Sequence, residues 1–144
     1  MKNKKLDREK ILSKIDELDS FIEEIEKIKP VDFEEYKTIE KKRSIERLFQ
    51  ISIETVIDIC NILNSNLKLG IPNDEDNLAE NLENNKIISK KVSQLIKEMK
   101  GFRNILVHKY GKVDDEIVFE NLDKLSDFEL FKKEILDFLK KSKY

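Results

Sequence analysis

Residues 11–28 read ILSKIDELDSFIEEIEKI. Within them Ile11, Ile15, Leu18, Ile22 and Ile25 step by four and three residues. A helix with about 3.6 residues per turn places such positions on one face, as a coiled-coil-like seam. The alternation of period two that a half-buried strand requires is absent. Phe21 and Ile28 widen the stripe, and Pro30 closes the segment because the residue before a proline is pushed out of helical conformation. The first helix is therefore expected from about Asp7 to Ile28.

The same spacing recurs downstream. A second helix starts near Asp32, whose side chain suits an N-cap, and runs to about Leu67 with room for a kink. Ile45, Phe49, Ile53, Val56, Cys60 and Leu63 share its inner face, so Cys60 reads as a core residue and not as a nucleophile. Gly70, Pro72, Asn73 and Asp74 mark a loop, and a short helical piece fits around Leu78 to Leu82. A third helix is expected from about Ser89 to Tyr110, on Ile88, Val92, Leu95, Met99, Phe102 and Leu106, with Gly111 placed to end it. A fourth fills Asp114 to about Lys141, breaking near Leu125-Ser126-Asp127, and buries Leu122, Phe128, Phe131, Ile135 and Phe138. Four apolar stripes with short connections predict an all-α, antiparallel four-helix bundle.

Composition agrees. A chain of 144 residues suits one domain, 1–144, with one core, and 39% hydrophobic against 40% charged residues suits solvated helices around that core. With only 3 glycines and 2 prolines there is little to interrupt long helices. No uninterrupted apolar run exceeds three residues, which excludes a membrane-spanning helix and any membrane partner of that kind. The basic start, Met1 to Lys5, is followed by no apolar stretch, so a secretory signal is not expected. A lone cysteine, Cys60, makes neither an internal disulfide nor a thiolate metal site, and a cytoplasmic location follows as the expectation.

Charge is unevenly distributed. The stretch Lys86–Lys112 carries eight basic residues and one acidic residue, a net +7 within a chain of net −2. Such a strip can hold an anion such as RNA phosphate, although charge alone is equally consistent with a solvated lysine-rich face. The strip contains the only histidine, His108, in the segment Gly101-Phe102-Arg103-Asn104-Ile105-Leu106-Val107-His108-Lys109-Tyr110-Gly111. A lone histidine is more often structural than catalytic. On a helix that stays regular to its end, however, His108 falls about 160° from the seam, with Asn104 and Ile105 on its side, while Arg103 and Tyr110 lie about 20° apart at the seam's edge. An outward histidine beside an outward isoleucine suggests a second chain covering this face, the alternative being a surface histidine with an incidental isoleucine neighbour.

The pattern Arg-x-x-x-x-His-x-Tyr at Arg103, His108 and Tyr110 resembles the motif of the HepT toxins of the HEPN superfamily. The likeness extends to Ile45–Glu54, similar to that family's second-helix signature, to Gly101–Asn104, Gly111, Val113 and Asp114 around the motif, and to Glu116-Ile117-Val118. The resemblance implies the toxin of a type VII toxin–antitoxin system: a metal-independent endoribonuclease acting as a homodimer, with Arg103 and His108 of both chains at one cleft and Asn104 in support. It also implies a nucleotidyltransferase antitoxin that silences the toxin by adenylylating Tyr110. ATP would be co-substrate of that partner, and the toxin itself would need no cofactor and no metal.

The residues suit this chemistry in their own right. Self-cleavage of RNA through its 2′-hydroxyl needs a base, an acid and a cation for the charged phosphorane. His108 can move protons near neutral pH, and Arg103 can grip phosphate oxygens. With one histidine per chain, a mechanism that uses two requires two chains. Two other readings stand beside it: a non-catalytic helical module that binds nucleotide or partner within a nucleotidyltransferase complex, and a purely structural interaction protein.

Overall fold

The computed structural model describes residues 5–107 and 113–143. Four long helices carry the architecture: α1 (Arg8–Ile28), α3 (Ile39–Asn66), α5 (Lys90–Leu106) and α7 (Ser126–Lys141). Three short ones join them, α2 (Phe33–Tyr36), α4 (Glu75–Asn84) and α6 (Asp115–Asn121), with a 3-10 turn at Leu122–Lys124. No strand occurs among the described residues.

Contacts at the helix ends fix the directions. Asp7 at the start of α1 donates its N–H to Asn66 at the end of α3, and Lys41 near the start of α3 reaches the carbonyl of Ile28, so α1 and α3 are antiparallel. Arg8 donates to the carbonyls of Leu139 and Ser142, and Lys132 pairs with Asp19, which sets α7 antiparallel to α1. Ser89, capping α5, bonds through its N–H and hydroxyl to Glu134 of α7, at 2.7 and 2.8 Å. The expected all-helical bundle is present, with three short helices beside the four long ones among the described residues.

The α1 seam is buried as its spacing predicts: Ile11, Ile15, Leu18, Ile22 and Ile25 all face the core. Each such side chain contributes roughly 1.5–3 kcal/mol of burial free energy, more than its helix propensity supplies. Five of the helix starts carry side-chain caps, whereas α3 and α7 have none. Asp7, Asp32, Asp74 and Asp114 each accept a backbone N–H of the first turn, as does Ser89. The kink in the second expected helix is a break: α2 stops after Tyr36, and Thr38 takes an extended conformation before α3 begins. Tyr36 is fully buried and packs near Phe33 and Phe119, which draws this short turn toward α6.

Two expectations on α5 need correction. Its inner face includes Ile96, which is buried, and Leu95 is only partly so, because α4 covers the flank on which Ile96 lies. The helix also ends earlier than the apolar spacing suggested, with Val107 as its C-cap, bonded to the carbonyls of Arg103 and Ile105. Residues 108–112, with the expected stop at Gly111, lie outside the described residues.

Cys60 is fully buried on α3, and burial pushes its thiol up to about 12. A thiol-reactive dye should therefore leave Cys60 unmodified in the native protein and label it fully in denaturant. Rapid native-state labelling would contradict the packing described here.

Candidate active site at the end of α5

Arg103 is placed by its neighbour. Phe102 meets the ring of Phe49 on α3 edge-on, with centroids 5.2 Å apart. Phe49 belongs to the segment Ile45–Glu54, whose inward residues Ile45, Phe49 and Ile53 anchor α3 in the core. The second-helix signature and the motif helix thus touch directly, and that contact fixes the turn of α5 that carries Arg103.

The guanidinium of Arg103 is not free. Its Nη2 and Nη1 donate to Oε1 and Oε2 of Glu75, at 2.5 and 3.1 Å, across from the start of α4. Nη2 also donates to Oδ1 of Asn104 at 3.2 Å. The neighbouring basic residues are matched in the same way: Lys100 lies 2.8 Å from Asp76, and Lys97 lies 3.4 Å from Glu80. The strip that is strongly basic in the linear sequence is therefore partly neutralised by acidic residues of α4. The Asp76 contact also raises the Lys100 ammonium above its ordinary range.

The loop before α4 is held to α3 by Asn64. Its side-chain amide donates to the carbonyl of Gly70 at 2.7 Å, and its Oδ1 accepts from Asn81 of α4 at 3.1 Å. Gly70 has φ +100°, a conformation that side-chain-bearing residues rarely adopt, so the loop needs glycine there.

Asn104 and Ile105 are exposed, as is Val107. Beside Ile105 a groove of about 290 Å³ runs between α3, α5 and α7, lined by Phe49, Leu95, Met99, Phe102 and Phe128, with Lys124 among its polar residues. His108 and Tyr110 lie outside the described residues, so the structure brings together only Arg103 and Asn104 of the four expected site residues. The helical angles expected for His108 and Tyr110 fall on residues outside those described. Glu75 was missed in the sequence. An acidic first turn on α4 gave no sign of which cation it would meet. Among the described residues no group of three or more histidine, cysteine or carboxylate side chains is arranged to hold a metal ion. No described helix is long and apolar enough to cross a membrane.

An all-helical bundle with an arginine seated at the end of its third long helix is the frame of a HEPN-type domain. The HepT-like ribonuclease family model matches residues 11–135, and the chain belongs to that family. The mRNA nuclease HepT of Shewanella oneidensis is 38% identical over 79 residues, which cover 54% of this chain and 59% of that relative. The match thus spans less than two thirds of the relative's length. Among solved structures, a tri-AMPylated Shewanella oneidensis HEPN toxin in complex with its MNT antitoxin is 30% identical, with a TM-score of 0.81 over 88% of this chain and 96% of that one. The cytosolic protein YutE of Bacillus subtilis, of unknown function, shares the fold at 18% identity, with a TM-score of 0.81 over 94% of this chain and 92% of that one.

Proposed function

We propose that the protein is an endoribonuclease toxin that cleaves RNA without a metal ion or cofactor, with Arg103 and His108 as its catalytic residues and Asn104 in support. The observation that carries this is the seating of Arg103 at the end of α5, five residues before the only histidine, in a chain of the HepT-like ribonuclease family. Arg103 would stabilise the charged phosphorane, and His108 would move the proton of the attacking 2′-hydroxyl or of the leaving oxygen. One histidine per chain makes a twofold dimer part of the mechanism, with the face of Asn104 and Ile105 covered by the second copy. The exposure of Ile105 on a groove that mixes apolar residues with Glu98, Lys124 and Asp127 supports that placement. The regulatory partner would be a nucleotidyltransferase that uses ATP to join AMP to Tyr110, and the site of action would be the cytoplasm.

The test is an RNA cleavage assay in EDTA, with the products examined for cyclic phosphate ends and the protein's mass read by light scattering at micromolar concentration. Cleavage in EDTA by a dimer is the expected result. Activity lost in EDTA and restored by magnesium would overturn the metal-independent route, and a monomer would overturn the shared cleft.

A further inference from the structure

The fork between Arg103 and Glu75 links two helices across 28 residues of sequence, and its side chains are only 18% and 30% exposed. It ends a ladder in which Lys97, Lys100 and Arg103, three residues apart on α5, meet Glu80, Asp76 and Glu75 on α4. Arg103 carries five N–H donors, and among the described residues Glu75 and Asn104 take three of them, leaving the Nε–H and one Nη1–H for a ligand. Glu75 is itself fixed, since Asp74 caps α4 and Asn64 ties α4 and its preceding loop to α3.

We infer that Glu75 is a positioning residue for Arg103, holding the plane of its guanidinium so that the remaining donors meet a substrate phosphate. The inference rests on the ribonuclease reading above. An arginine without this carboxylate would sample many rotamers, and a displaced charge stabilises a transition state less than a held one. Asp76 and Glu80 meet lysines, which lack the planar fork, so the role is specific to Glu75.

The experiment measures RNA cleavage by the full chain and by Glu75→Gln, Glu75→Asp, Glu80→Gln, Arg103→Ala and the double variant Arg103→Ala/Glu75→Gln, with thermal melts of each. Glu75→Gln should lower kcat by about 10- to 100-fold with KM nearly unchanged and the melting curve preserved. Glu75→Asp should recover part of the rate, and Glu80→Gln should match the unaltered protein. The double variant should be no slower than Arg103→Ala alone, because both changes remove one unit of function. A Glu75→Gln protein as fast as the unaltered one, or faster, overturns the inference and leaves the ribonuclease reading standing; a faster one would mean the carboxylate competes with phosphate. An unaltered protein that leaves RNA intact overturns the ribonuclease reading and the inference with it.

Discussion

Arg103→Ala and His108→Ala are each expected to reduce the rate of RNA cleavage by about 10²- to 10⁴-fold while the helical fold persists. For Arg103 two effects add. The variant loses the cation that faces the phosphorane, and it exposes the Glu75 carboxylate, so an anion is left where a polyanion must bind. Arg103→Lys should fall between, because an ammonium restores charge but not the planar fork. The fold should tolerate these changes. Glu75 stands in the first turn of α4, where backbone N–H groups favour an anion, and it is partly open to water. Circular dichroism checks the helix content, and a labelled RNA checks the rate. An Arg103→Ala protein of undiminished rate would remove Arg103 from the chemistry.

Tyr110→Phe is expected to separate activity from control. The phenol has no assigned part in cleavage, so the variant should cut RNA as the unaltered protein does. In the proposed silencing, the phenolic oxygen attacks the α-phosphorus of ATP, an O–P bond forms, pyrophosphate leaves, and the phenolic proton passes to solvent. Each added AMP would bring a negative phosphodiester and a bulky nucleoside to a residue that neighbours Lys109 and Lys112 in sequence, opposing RNA by charge and volume together. Incubation with the partner nucleotidyltransferase and ATP, followed by intact mass and a cleavage assay, should show mass gain and silencing for the unaltered protein alone. If Tyr110→Phe still gains AMP and falls silent, the regulatory residue is another one.

The sequence made the long helices legible because each carries its own apolar spacing. The α1 seam is buried at every position the spacing named. What spacing could not show were features set by the rest of the molecule. The break after Tyr36 contains neither glycine nor proline and follows from the burial of Tyr36 toward Phe119. The choice of Ile96 over Leu95 depends on α4, which the sequence marked only as a short piece around Leu78 to Leu82. In the candidate site, Arg103 and Asn104 were visible as a pattern, and Arg103 was expected at the seam's edge, where it lies half-buried. Its carboxylate partner was not visible, since a cross-helix ion pair leaves no local trace in the chain. The basic strip was legible as charge, but its partial neutralisation by α4 was not.

The α4–α5 ladder also bears on how the chain acquires its shape. Its rungs join residues close in sequence, Lys97 with Glu80 and Lys100 with Asp76, whereas Arg8 must find Leu139 across 131 residues. Closing a short loop loses less chain entropy than closing a long one, so the helical hairpin that seats Arg103 can assemble before the two ends of the chain meet. The ion-paired unit that seats Arg103 would then be built locally, without waiting for the bundle to close.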